Sequence, residues 1–318
     1  MRFAALLQQC PGADIASRRW NDRRATLEAM PNESLILTSR LHDLGDGFQV
    51  RRVVPQLRAR HIGPFVFFDH MGSVQFAPGA GMDVRPHPHI GLATVTYLFE
   101  GAIEHRDSVG NVLTIRPGDV NWMTAGSGIV HSERTPAAER AAGHALHGIQ
   151  TWVALPRASE TVAPSFHHHA ASTLPQLDID GVRLRVIAGD AFGEQSPVAV
   201  FARTLYVAAE FAAGSTLTLP PEHAERAIYA ADANLRVGGA DLAAGEIAVL
   251  PAGAAVEISS ASAARAMILG GDPLDGERHV WWNFVASSRE SIEQAKQLWK
   301  AQRMGTVPGE SEFIPLPD

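Results

Sequence analysis

The sequence holds a single cysteine, Cys10, in 318 residues. One thiol cannot form an internal disulfide, and it excludes thiolate-built zinc or iron–sulfur sites. Any metal bound by this chain must therefore use nitrogen and oxygen ligands. A basic surplus is also missing: Lys plus Arg total 27 against 34 Asp plus Glu, a formal charge of −7. Nothing in that balance favours a phosphate backbone, so no nucleic-acid partner is expected. No apolar run approaches the roughly 20 residues of a membrane span, so no membrane association is expected either. The stretch Met1–Cys10 carries one basic residue and only a five-residue apolar run, which makes a poor secretion leader. A cytoplasmic protein is the expectation. With 46% apolar and 19% charged residues, the chain reads as globular, and its length suits two domains.

From Ser34 onward, short runs rich in Val, Ile, Phe and Thr alternate with Gly and Pro turns. Examples are Phe65–Phe68, Ala93–Leu98, Val112–Ile115 and Ile149–Val153. Runs of this length and spacing predict an all-β fold of sandwich or barrel type. Residues 1–33, with Arg18, Arg19, Arg23 and Arg24, read as a loosely attached extension, with a short helix as one option. Leu155–Pro175, broken by Pro156 and Pro164, reads as a linker or excursion between halves. Strand-like runs then resume at Val182–Ile187, Ala199–Ala208, Ser215–Leu219, Arg226–Ala230, Glu246–Leu250, Ala255–Ile258 and Ala266–Leu269. One helix is predicted near the C-terminus. Ser287 and Glu290 have capping-box spacing, Ile292, Ala295 and Trp299 share a face, and Gly305 can stop it.

Histidine is what the sequence has in number, with 14. Pro86-His87-Pro88-His89 is followed by His131-Ser132-Glu133, with His131 lying 42 residues after His89. In a strand, residues i and i+2 share a face, so His87 projects with His89, and His131 with Glu133. Two such pairs on neighbouring strands offer three imidazoles and a carboxylate around one point. That set suits Fe, Mn, Co, Ni, Cu or Zn. Asp69, after four apolar residues, could orient a ligand histidine, accept a proton from a phenolic substrate, or cap a turn. Of Phe65, Phe67, Trp122 and Met123, at least one should line the cavity if an aromatic substrate binds. His105, Asp107 and Ser108 hold triad ingredients, but no nucleophile elbow accompanies them. His167-His168-His169 reads as a loop cluster, and His144 and His147 as surface or supporting groups.

The glycines and histidines of this constellation resemble a cupin. Thr94 stands where cupins carry a glutamate, and Gly101 takes the motif's glycine. The missing glutamate, with Glu133 two residues after the last histidine, is similar to the arrangement of the pirins. The likeness runs through Gly63-Pro64-Phe65, Phe68-Asp69-His70, Arg85–His89, Glu104–Ser108, Gly118-Asp119, Trp122–Glu133, Gln150–Pro156 and Gly270–Leu274, spanning about residues 34 to 300. It implies a bicupin of two face-to-face antiparallel β-barrels of jelly-roll type, with a C-terminal helix. The implied division is a metal-binding domain over 34–160, a degenerate domain without metal over 161–285, and the helix and tail over 286–318. The same resemblance implies His87, His89, His131 and Glu133 as metal ligands, with Fe(II) as the expected ion. It further implies an iron-dependent dioxygenase acting on flavonol-like aromatics such as quercetin, with Glu133 or Asp69 taking the substrate proton. The alternative it implies is a non-catalytic, redox-sensing iron protein that regulates a protein partner.

Overall fold

The computed structural model describes residues 33–43 and 49–317. The predicted extension over 1–33 lies outside them, apart from Glu33. The first part of the chain forms β1 (Leu35–Thr38), β2 (Arg40–Asp43), β3 (Gln49–Val54), β4 (Phe65–Phe76), β5 (Asp83–His89), β6 (Leu92–Glu100), β7 (Ile103–Asp107), β8 (Val112–Ile115), β9 (Val120–Thr124), β10 (Ile129–Arg134), β11 (His144–Ala154) and β12 (Ser165–His169). A six-residue helix, α1 (Ala137–Ala142), precedes β11. The second part forms β13 (Gln176–Ile179), β14 (Val182–Ala191), β15 (Glu194–Gln195), β16 (Thr204–Phe211), β17 (Thr216–Leu219), β18 (Glu225–Ala230), β19 (Leu235–Val237), β20 (Ala240–Leu242), β21 (Glu246–Val249), β22 (Val256–Ser259), β23 (Ala264–Gly271), β24 (His279–Trp281) and β25 (Phe284–Ala286). Helix α2 (Arg289–Lys300) follows.

Each half is a two-sheet jelly roll. In the first, a large sheet in the order β12-β9-β6-β11-β4-β3-β2 opposes a small one, β5-β10-β7-β8. In the second, β1-β21-β18-β23-β16-β14-β13, with β15 on β14, opposes β17-β22-β19-β20. The two sheets of a half are separate hydrogen-bonded ladders among the described residues, so the expected barrels are sandwiches. The large sheets face each other across the main core, where Phe65, Phe68, Tyr97 and Ile149 meet Tyr206, Tyr229, Ile247 and Met267. Strands of these sheets are covered on both faces, which explains near-continuous apolar runs such as β6. The small-sheet strand β8 is half exposed.

One strand crosses between the halves, and another lies beyond the division implied at residue 160 yet pairs with a strand before it. β1 pairs antiparallel with β21, Leu35 opposite Val249, and so extends the second half's large sheet. β12 pairs with β9, Ser165 opposite Thr124, and extends the first half's large sheet. The segment expected to be a linker is thus partly a strand, and His167–His169 belong to it rather than to a loop. The Ala199–Ala208 run becomes a strand only from Thr204.

Helix α2 buries Ile292, Ala295 and Trp299 against Phe284 and Ala286 of β25 and against Ile90 and Val130 beside the histidines. Its cap is Ser288, whose side chain accepts the Ser291 N–H. Ser287, the expected cap, is instead held by Glu160, to which its hydroxyl donates at 2.7 Å. The helix ends at Lys300, ahead of Gly305. The tail returns over the outer face of β5 and β10. The Ile314 N–H donates to the Pro86 carbonyl, and Glu310 accepts from Ser132 and Arg134. Gly101, the motif glycine, has φ of +86°, and a Cβ there would fall 2.3 Å from the Ala145 carbonyl oxygen. Only glycine fits both demands. No helix among the described residues is long and apolar enough to cross a membrane.

Candidate metal centre

β5 and β10 are neighbours, and His131 lies directly opposite His87. The i, i+2 spacing turns His87 and His89 to the interior, where His131 joins them. Ligand nitrogens of these three residues all lie within 4.8 Å of one another. His89 Nε2 and His131 Nε2 are 3.1 Å apart, and the ring centroids are separated by 4.3 to 5.0 Å. All three side chains are buried.

Two of the rings are oriented by main-chain carbonyls. His87 Nδ1 lies 2.9 Å from the Arg85 oxygen and His89 Nδ1 3.1 Å from the Asn283 oxygen. A carbonyl only accepts, so each Nδ1 carries the proton and each Nε2 keeps its lone pair. Burial lowers the His87 pKa to about 4, with the Arg85 carbonyl opposing. Burial, followed by neighbouring imidazoles, takes His89 and His131 well below the ordinary value. All three rings are neutral at neutral pH. Their buried nitrogens form a donor set that a borderline divalent cation fits. For nitrogens about 2.1 Å from one ion, the 3.1 Å separation corresponds to neighbours near a right angle.

Glu133 shares β10 but is outside the group of three. The β5–β10 register slips between His131 and Glu133, and Gln150 Nε2 donates to the Glu133 carboxylate at 2.7 Å. Burial raises the Glu133 pKa, while hydrogen bonds from Gln150 and Thr96 and the nearby His105 oppose the rise. Asp69 lies within β4, so it caps no turn. Both its oxygens accept from Arg52, at 2.8 and 2.7 Å. The Arg52 guanidinium lies 4.5 Å over the Phe67 ring. Phe67 stacks on Trp152 at 4.1 Å, and Trp152 meets His89 edge-on at 5.3 Å.

The large sheet supplies the opposite wall. Cross-strand register aligns His168, Asn121, Thr96, Gln150, Asp69 and Arg52 in one row over six strands. Two residues along lies a more apolar row of Phe166, Met123, Thr94, Trp152 and Phe67. Phe67 and Met123 thus belong to this interior, whereas Phe65 and Trp122 face the core between halves. Thr94, in the place of the cupin glutamate, is in the second row.

Several other histidines have partners of their own. His168 Nδ1 lies 2.8 Å from Asn121 Oδ1. His144 and His147 are buried in β11, so neither is a surface group. His144 stacks on Phe76, and His147 Nε2 lies 2.8 Å from His70 Nε2. Ser108 Oγ accepts the Val130 N–H, and the two His105 nitrogens face Asp107 and His131, so the three residues form no Ser–His–Asp relay. His105 and Asp107 form a buried pair beside His131. Their His-x-Asp spacing repeats that of His131-x-Glu133, a signal that placed both on the same face. Arg52, Thr96 and Gln150 carried no such signal.

Residues 47–153 match the family model described as Pirin, and residues 206–305 match the one described as Pirin C-terminal cupin domain. The chain belongs to the pirin family. It is 48% identical over 289 residues to a pirin-like protein of Caulobacter vibrioides, covering 89% of this chain and 99% of that one. To the Mus musculus protein named pirin it is 33% identical over 270 residues, covering 82% and 90%. A crystal structure of quercetin 2,3-dioxygenase from Acinetobacter baumannii has a TM-score of 0.84 at 34% identity, covering 90% of this chain and 95% of that one.

Proposed function

We propose that this pirin-family chain is an iron-dependent dioxygenase that opens an electron-rich, flavonol-like aromatic ring. The observation that carries the reading is the convergence of three buried neutral imidazoles beside the Phe67–Trp152 stack. The likeness to the Acinetobacter baumannii quercetin 2,3-dioxygenase supports it. His87, His89 and His131, with Glu133 as a fourth ligand, would hold Fe(II), which would supply Lewis acidity toward a bound hydroxyl and redox chemistry toward oxygen.

The chain's own residues supply the rest. Trp152, backed by Phe67, supplies aromatic surface beside His89 for an aromatic ring. Glu133, buried and with a raised pKa, can hold the hydroxyl proton, and Gln150 and Thr96 fix its carboxyl group. Asp69 does not take this part, because Arg52 occupies both of its oxygens. The ion pair instead steadies Arg52 over Phe67.

The test is anaerobic purification without a histidine tag, metal analysis, and oxygen uptake on adding quercetin. Near-stoichiometric iron with quercetin-dependent uptake is the expected result. Iron without uptake across phenolic substrates overturns the enzyme reading and favours a non-catalytic iron protein acting on a protein partner.

A further inference from the structure

We propose that Asp107 and His105 are a positioning pair for the metal centre, setting His131 to present Nε2 to the ion. The inference rests on the metal reading above and adds two residues to it.

The buried Asp107 carboxylate is surrounded by donors. Oδ1 accepts from the Val109 N–H at 3.0 Å, the Asn111 N–H at 3.0 Å and Asn111 Nδ2 at 3.1 Å. Oδ2 accepts from Asn111 Nδ2 at 2.9 Å and from His105 Nε2 at 3.0 Å. A carboxylate in this setting only accepts, so His105 carries its proton on Nε2. In the neutral ring with that tautomer Nδ1 bears a lone pair, 3.4 Å from His131 Nδ1. His131 meets an acceptor there, so its proton sits on Nδ1 and its Nε2 is left bare. This does for His131 what the Arg85 and Asn283 carbonyls do for His87 and His89. The sheet explains the placement: on β7 and β10, His131 lies opposite Asp107 and Glu133 opposite His105. Phe166 of β12 stacks on the His105 ring at 4.2 Å and fixes its plane. Such outer partners of ligand histidines orient the ring and strengthen the donor.

Substitutions separate this role from simple packing. In Asp107→Asn the amide nitrogen cannot face the three N–H groups at Oδ1, so it takes the Oδ2 position and points at His105, and Asn111 Nδ2, shared between the two oxygens, shifts wholly to Oδ1. His105 must then accept at Nε2 and carry its proton on Nδ1, which drives the His131 proton to Nε2. His105→Phe keeps a ring against Phe166 and loses the acceptor, whereas His105→Asn keeps an acceptor near Nδ1 and loses the ring. The measurements are Zn(II) affinity by chelator competition and, on the metal-free protein, nitrogen-15 shifts that report the His131 tautomer. Expected is a loss of about 10–100-fold in Zn(II) affinity for Asp107→Asn and His105→Phe, with His105→Asn staying within a few-fold of wild type. In Asp107→Asn the His131 proton moves to Nε2. Wild-type affinity in Asp107→Asn with the tautomer unchanged, or affinity that follows the ring rather than the acceptor, overturns the pairing. If His105→Phe does not fold, the near-isosteric Asp107→Asn decides alone. A wild type that binds no zinc, or a His87→Ala variant that binds it as tightly, instead overturns the metal reading itself.

Discussion

The two halves share one architecture and fill it with opposite chemistry. Inside the second, the two sheets meet through Leu184, Val186, Val207, Ile228, Leu217 and Ile258, all apolar and fully buried. Inside the first, corresponding layers carry a polar row, an ion pair and the converging histidines. In the second half the buried His223 meets the Asp190 carbonyl through Nε2 at 2.8 Å, and the buried Arg226 donates through Nη1 and Nη2 to the carbonyls of Pro220, Pro251 and Ala254, while His223 Nδ1 and Arg226 Nε have no partner. A jelly roll therefore folds without an interior polar system. The first half carries one at the expense of desolvation, where each buried polar group left unpaired costs about 1–3 kcal/mol. The second half gives rigidity in return. Its face forms the main core, and the Tyr229 hydroxyl lies 2.8 Å from His70 Nδ1. The Asn283 carbonyl that orients His89 comes from the segment following it.

The contrast can be broken most sharply at His131. His131→Ala should lose most bound metal and any turnover, read by elemental analysis and by oxygen uptake. Full metal content in that variant overturns the ligand assignment. Next in size is a change at the shared core. Leu37 of β1 is buried between the halves, and Leu37→Ala should cost about 2–3 kcal/mol in denaturant unfolding. Because β1 belongs to both halves, spectroscopic probes in each should shift together; movement of one alone would show that they are independent.

A smaller effect comes from giving the first half the chemistry of the second. Gln150→Leu removes the donor to buried Glu133 and should destabilise the metal-free protein by about 1–3 kcal/mol. Adding Glu133→Met should recover most of that loss, since only the Thr96 hydroxyl then loses an acceptor. No recovery would show that the pair does more than satisfy itself. The smallest effect concerns the tail. The Arg134 hydrogen bonds hold the Glu310 carboxyl below its ordinary 4.5, against the opposing pull of burial. A depressed folded pKa contributes stability above the unfolded value and loses it as pH falls through the folded one. The tail should therefore stay docked above pH 4.5 and loosen in more acid solution, read as pepsin cleavage after Lys300. Compared at the same pH, wild type should be cleaved less than Glu310→Gln above pH 4.5 and to a similar extent in more acid solution.

What was legible in the sequence was local. His-x-His and His-x-Glu follow from the two-residue period of a strand, and the apolar runs marked most strands. The exchange of β1 and β12 was not legible, because alternation says which face a residue takes and not which strand lies beside it. Ser287 lost the helix cap to Ser288 through a contact with Glu160, which lies far away in sequence. His105 and Asp107 were visible as residues, but a catalytic triad was the wrong pattern to seek in them. Register across six strands made the polar row, and no single stretch of sequence contains it.

The exchanged strands also bear on how the chain can be divided. A fragment ending near residue 160 lacks β12, and one starting there lacks β1. The first would leave the β9 ladder open, and the second the β21 ladder, each a row of unpaired amides and carbonyls. Such edges recruit other strands, so separately made halves should aggregate, whereas halves produced together could trade strands and remain soluble. The point that looks like a domain boundary is the seam at which this protein is least divisible.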